Sequence, residues 1–261
     1  MNYNNESLLN FLLKCTDKTD AIACDYFNQA NLEHTYKQNK TPVTQADLEI
    51  EKYFRNELKN NFPEIEIYGE EFGQCPQDAK LKLIIDPIDG TLNFIRGIPF
   101  FATLLAIEKE GEITVGLVSA PQTGERWWAT KGQGSYYNGS KISVSKIKNI
   151  RDSQVFHGSL FGPEANELPD SFMDVLSLTN RQRGVGDYYS HMLVAMGCGE
   201  FALDFGFKPW DIAPIKIIIE EAGGVFTDAQ GKKDIYSGSV ISSNGLFHAE
   251  ILKLLSGRKA T

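Results

Sequence analysis

Two stretches near the start of the chain carry apolar residues at helical spacing. Leu8 to Leu13 form one face of an amphipathic segment, which predicts a helix over residues 7–29. From Thr44 to about Asn60, the spacing of Leu48, Tyr53, Phe54 and Leu58 predicts a second helix. The pattern then changes. Residues 81–85 are a short, strongly apolar run that predicts a buried strand feeding straight into Asp86-Pro87. Residues 101–107 and 113–119 predict two strands joined around Glu110-Gly111-Glu112, a hairpin signal. A further strand is expected over 126–130, before the glycine-punctuated turn at 131–135. In the second half the order is helix (190–196), strand (201–205) and helix (211–222), stopped by Gly223-Gly224. Strands over 225–227 and 240–242 and a last helix over 247–255 complete the series. Helices and strands alternate in both halves, so a layered α+β or α/β architecture is expected.

With 261 residues, 42% hydrophobic and 23% charged, the chain can bury the core of one large domain. No repeat or Pro/Gly/Ser-rich linker interrupts it, so we expect a single domain spanning 1–261. Its two lobes should run over about 1–145 (α+β) and about 146–261 (α/β). No run approaches the roughly 20 apolar residues of a membrane span, and the N-terminal stretch lacks the basic leader of a secretory signal. Cys15, Cys24, Cys75 and Cys198 have no CxxC spacing, which suits reduced thiols in the cytoplasm, the expected location. The net charge of −8 disfavours nucleic acid and anionic membranes as partners. It would also repel an anionic metabolite unless cations were recruited locally.

The informative segment is Asp86-Pro87-Ile88-Asp89-Gly90-Thr91. Two carboxylates three positions apart, just beyond a strand, can aim oxygens at one point, and oxygen ligands suit Mg²⁺. Gly90 and Thr91 would open a helix whose free N–H groups favour phosphate. A plain β-turn explains the same residues. Glu70-Glu71 reads either as a solvated pair or as part of an acidic cage. Asp211 reads as a helix N-cap or a ligand. Asp47, three residues after Thr44, has capping-box spacing. Five acids at separate turns and helix starts are what a cage for more than one divalent ion requires. His34, His157, His191 and His248 form no recognisable triad and read as structural or surface residues.

Gly69-Glu70-Glu71, the 86–91 segment and Trp210-Asp211-Ile212-Ala213-Pro214, with TPVTQAD at 41–47 before them, resemble the inositol-monophosphatase superfamily in the right order. The resemblance implies an αβαβα sandwich, a Mg²⁺-dependent phosphomonoesterase with two or three ions, a small phosphorylated metabolite as partner, and a homodimer. Carried over, Glu70, Asp86, the Ile88 carbonyl, Asp89 and Asp211 hold the metals. Thr91, hydrogen-bonded towards Asp47, positions and deprotonates a water bound beside Glu70. Lys37 matches the family's loop lysine.

Phe94-Ile95-Arg96-Gly97-Ile98-Pro99, residues 116–121, Arg126-Trp127-Trp128-Ala129 and residues 183–191 resemble the histidinol-phosphatase branch more than the inositol branch. That implies L-histidinol phosphate as substrate. The substrate-facing set would be Asp89, Gly90, Thr91, Arg183, Asp187, Asp204 and Asp211. Inositol enzymes usually carry Ser or Thr where Asp187 stands. Asp187 and Asp204 could pair with the cationic part of histidinol phosphate, although Asp187 also suits a loop or an N-cap. Trp127-Trp128 reads as core packing. An inositol-phosphate or broad-specificity phosphatase is the nearer alternative. A non-catalytic partner of the transcription machinery is the more distant one.

Overall fold

The computed structural model describes residues 3–29, 33–37, 42–73, 79–161 and 168–257. Cys75, among the expected thiols, and Thr41, at the start of the 41–47 segment, lie outside them. Helix α1 (Asn5–Phe27) begins at Asn4, whose side chain accepts from the Glu6 N–H. A short hairpin, β1 (His34–Tyr36) and β2 (Pro42–Thr44), leads into α2 (Gln45–Asn61). The strands β3 (Glu66–Gly69), β4 (Leu81–Asp89), β5 (Ala102–Lys109), β6 (Glu112–Ala120), β7 (Glu125–Thr130), β8 (Gly134–Tyr137) and β9 (Ser140–Ile142) form a seven-stranded sheet in that order. Only the β3–β4 pair in it is parallel. The short helix α3 (Thr91–Ile95) follows β4.

The second sheet combines β10 (Gln154–His157), β11 (Arg181–Gly184), β12 (Phe201–Phe205), β13 (Val225–Thr227) and β14 (Ser239–Ser243) in the order β11-β10-β12-β14-β13. Helices α4 (Phe172–Ser177), α5 (Asp187–Ala195), α6 (Pro209–Glu221) and α7 (His248–Leu255) complete the described fold.

Strand alternation assembles the layers. In β4 and β5, Leu83, Ile85, Leu105 and Ile107 face α1 and α2, where they meet Leu12, Ile50 and Phe54. Ile84, Leu104 and Ala106 face the other way, onto Met192, Ile215 and Ile218 of α5 and α6. The far side of those two helices packs on Ala202 and Val240 of the second sheet. Phe201, Leu203 and Ile241 point beyond it to α4 and α7. The result is α1α2, sheet, α5α6, sheet, α4α7: the expected αβαβα sandwich. Trp127 is fully buried in the middle layer against Tyr137 and Tyr188, while Trp128 stacks on Tyr136 on the opposite face.

The pattern in the sequence missed β1 to β3, β8 to β11 and α4. Strand β11, Arg-Gln-Arg-Gly, is exposed throughout. An edge strand with no buried face carries no alternation to read. The helix expected at 190–196 starts three residues earlier, at Asp187. Among the described residues no helix is long and apolar enough to cross a membrane.

His248, at the start of α7, is buried between Thr227 and Ser243. Thr227 Oγ1 donates to the Asp228 carbonyl, so it takes the Nε2 proton of His248. Ser243 Oγ can then donate to Nδ1. This network suits the neutral ring, and burial pushes the His248 pKa from 6.5 down to about 4. The unfolded chain therefore binds the extra proton first. The contribution is full above pH 6.5 and is lost as pH falls towards 4, by up to about 3 kcal/mol. We predict that His248→Gln flattens this part of the acid limb in urea-unfolding curves. Identical acid slopes in variant and wild type would refute it.

Candidate active site

The site is built around the end of β4. Pairing with β5 slips between Asp86 and Asp89, so three steps on β4 match two on β5. This bulge is what turns two acids towards one region. The segment expected to be a turn after Asp86 is thus an irregular strand end with Ile88 wholly buried. The Ile88 N–H donates to Asp86 Oδ1 (3.0 Å) and Thr103 Oγ1 donates to the Pro87 carbonyl (2.8 Å). Gly90 then adopts φ 78°. A Cβ there would lie 2.9 Å from the Phe100 carbonyl oxygen, so backbone conformation and space both demand glycine.

Glu70 follows β3, and its N–H donates to the Ile85 carbonyl (3.2 Å), which holds it beside β4. Asp211 sits in the first turn of α6 and accepts from the Lys208 N–H (2.7 Å). Carboxylate oxygens of Glu70, Asp86 and Asp211 come within 4.8 Å of one another. Asp89 accepts from the Tyr188 N–H at the start of α5 (2.9 Å). Lys37 Nζ lies 2.7 Å from both Glu70 Oε1 and Glu71 Oε1.

Like charges held together out of water favour the protonated form. Burial, then the neighbouring Glu70, Asp89 and Asp211, holds Asp86 well above the usual carboxylate range. Burial, then Asp187 and Asp211, does the same to Asp89. Burial is also the largest cause for Asp211, pushed up to about 7, and for Glu71, also about 7. Asp47 rises to about 6 by burial, partly offset by the Thr44 hydrogen bonds. An all-oxygen donor set carrying this much negative charge fits a hard divalent cation. Glu70, Asp86 and Asp211 would hold it, with Asp89 and the Ile88 carbonyl adjoining.

These residues line a cleft of about 750 Å³. Gly90, Thr91, Asp187 and Asp204 also face it. Thr91 departs from the expected pairing. Its hydroxyl donates to the Ile88 carbonyl (3.0 Å), while Asp47 Oδ2 accepts from the backbone N–H and the hydroxyl of Thr44. The capping box occupies that oxygen of Asp47, which is buried and close enough to Glu70 to feel its charge. Arg183 requires a correction. It is exposed on the edge strand β11, its Nη1 donates to the Gln182 carbonyl (2.8 Å), and it does not line the cleft. A guanidinium at such an edge stays hydrated. The arginine that does line the cleft is Arg96, just after α3.

Two further residues support the wall that carries Asp187 and Asp204, and of them the sequence reading missed Asn93. Asn93 Nδ2 donates to Asp187 Oδ2 (3.0 Å) and to the Phe100 carbonyl (3.0 Å). It steadies an aspartate at φ 50°, the left-handed region that few residues besides glycine, Asn and Asp adopt. His191 is fully buried behind Asp204, with Nε2 3.3 Å from Asp204 Oδ2 and Nδ1 2.9 Å from Ser242 Oγ. It closes the 183–191 segment, one helical turn after Asp187, and of the two sequence readings, structural or surface, its burial bears out the first.

Five αβαβα layers with a carboxylate-lined cleft at a strand end define the class as a metal-dependent phosphatase fold. The chain belongs to the inositol monophosphatase family, whose profile matches residues 4–260. It is 37% identical over 251 residues to the histidinol-phosphatase of Streptomyces coelicolor, covering 93% of this chain and 94% of that one. A fructose-1,6-bisphosphatase/inositol-1-monophosphatase of Thermotoga maritima is 32% identical, covering 95% of each. Among solved structures, the extragenic suppressor protein suhB of Bartonella henselae superposes with a TM-score of 0.87 at 28% identity. That match covers 95% of this chain and 98% of that one.

We predict that the ion-free protein is destabilised by its own acids. The pKa of Asp211 is raised from 3.8 to about 7, so the folded state binds more protons across that window and stability falls as pH rises through it. At pH 8 without divalent ions, Asp211→Asn should melt above wild type, by roughly 2–4 °C per kcal/mol of repulsion relieved. It should also gain less from added Mg²⁺. A lower ion-free melting temperature in the variant would contradict this account.

Proposed function

We propose that the chain is a Mg²⁺-dependent phosphomonoesterase that hydrolyses L-histidinol phosphate, acting in the cytoplasm as a homodimer. The observation that carries this reading is the placement of Asp187 and Asp204 on the same cleft as the acidic cluster. A substrate with a phosphate at one end and an ammonium and imidazole at the other matches such a cleft. Inositol phosphate, a ring of neutral hydroxyls, can donate hydrogen bonds to these carboxylates but brings no cation to pair with them. The 37% identity to a histidinol-phosphatase supports the same choice.

Bound Mg²⁺, in two or three ions, would supply water of lowered pKa and positive charge facing the phosphate oxygens. The residues supply the rest. Thr91 commits its hydroxyl proton to the Ile88 carbonyl, which leaves its oxygen lone pairs to accept from a water and turn it towards phosphorus. Glu70, at the rim of the cluster, takes the proton of that water. Arg96 contributes positive charge at the cleft wall. Asp204, backed by His191 and the Gly158 N–H (2.9 Å), and Asp187, backed by Asn93, keep their carboxylates fixed for a cation.

The direct test is kcat/KM measured side by side for L-histidinol phosphate, inositol 1-phosphate and adenosine 3′,5′-bisphosphate. Preference for either of the last two would move the substrate assignment. No phosphate release from any of them with Mg²⁺ would favour a binding protein over an enzyme. Thr91→Ala should lower kcat by about 100-fold or more with little change in KM. Asp187→Asn should cost histidinol phosphate at least about tenfold in kcat/KM and leave p-nitrophenyl phosphate hydrolysis almost unchanged. Equal losses on both substrates would make Asp187 a structural residue.

A further inference from the structure

Glu51 lies on α2, one helical turn after Asp47, and is wholly buried. A buried carboxylate is costly unless it is paired and hydrogen-bonded, so its partners indicate what holds it there. Oε1 accepts from Arg55 Nε (3.0 Å) and Nη2 (2.6 Å) and from the Phe72 N–H (3.3 Å), and Oε2 accepts from the Glu71 N–H (2.9 Å). The same carboxylate lies flat against Gly69, where an added Cβ would collide with it. The chain from Gly69 to Phe72 therefore wraps around one buried anion.

Glu70 is in the middle of that wrap. Its own N–H is held by the Ile85 carbonyl, and Gly69 bridges to Gly73. Four consecutive residues are thus fixed, two of them by Glu51, and the side chain left to project into the cleft is Glu70. Arg55 balances the charge of Glu51, and its guanidinium also lies 5.7 Å from the centre of the Phe72 ring. We propose that Glu51 is a positioning residue that fixes the Gly69–Phe72 turn and thereby aims Glu70 at Asp86 and Asp211. This rests on the reading of that cluster as a divalent-cation site. It does not depend on which ester is cut.

The role is tested by Mn²⁺ binding, followed by electron paramagnetic resonance, in Glu51→Gln, Gly69→Ala and the core control Phe54→Leu. A Gln side chain turns an NH₂ towards amides or arginine that need an acceptor, and Gly69→Ala displaces the carboxylate from the other side. Both should weaken Mn²⁺ binding by about tenfold or more, as for other residues that orient a metal ligand. Phe54→Leu, which destabilises the same helix without touching the turn, should leave the affinity unchanged. Unaltered affinity in Glu51→Gln or in Gly69→Ala would overturn the proposal, as would an equal loss in Phe54→Leu. If one variant proves insoluble, the other decides. Wild type that binds no Mn²⁺ would overturn both this role and the cation site. Wild type that binds Mn²⁺ but spares histidinol phosphate would remove only the substrate assignment.

Discussion

The structure is organised around a concentration of buried negative charge. Asp86 and Asp89 are almost wholly buried, and Glu70 and Asp211 are only partly exposed beside them. Such a group would expand or protonate if left in an apolar setting. The fold answers by bringing the starts of α2, α5 and α6 to one place. The Tyr188 N–H at the start of α5 holds Asp89, and the Lys208 N–H at the start of α6 holds Asp211. At the start of α2, Thr44 holds Asp47. Helix N-termini carry partial positive charge and unpaired N–H groups, so they are the parts of a protein best suited to surround carboxylates. The Lys37 ammonium adds a full charge at the open side. What remains uncompensated is the space a divalent cation would fill.

Capping and ligation are not competing explanations here. Asp211 and Asp47 each sit at the third position of a helix and turn one oxygen back to the residue before it. A carboxylate has two oxygens and about four acceptor sites, so one can close the helix end while the other faces the cluster. Capping also locks the side-chain rotamer, which a positioned ligand needs. The same economy appears at Thr91, which donates to the carbonyl of Ile88 and keeps its acceptor side for the cleft.

The opposite wall of the cleft is made by the second sheet and α5, and it is supported differently. Asp204 is gripped by the Gly158 N–H and stands against the buried His191, and Asp187 is held by Asn93 from α3. Because α5 and α6 share one layer between the two sheets, neither wall can shift without disturbing a common core. The acidic cluster and the wall that carries Asp187 and Asp204 are therefore held at a fixed separation by packing.

Much of this was legible in the chain itself. The apolar runs at 81–85, 101–107 and 113–119 marked the central strands because a strand buried on both faces needs apolar residues almost throughout. The acids at 70, 86, 89 and 211 were visible as motifs because each occupies a turn or helix start with its own local signature. Edge strand β11 was not legible, since an exposed strand has no burial pattern, and Arg183 was misassigned with it. Glu51 and Asn93 were silent, because their roles are contacts across 20 and 94 residues of sequence respectively (to Glu71 and Asp187). Local sequence determines which residues can cap, turn or ligate, since those are properties of a few neighbouring bonds. Only the packing of two sheets against a shared helical layer decides which distant side chains meet, and it is that meeting which makes the cleft.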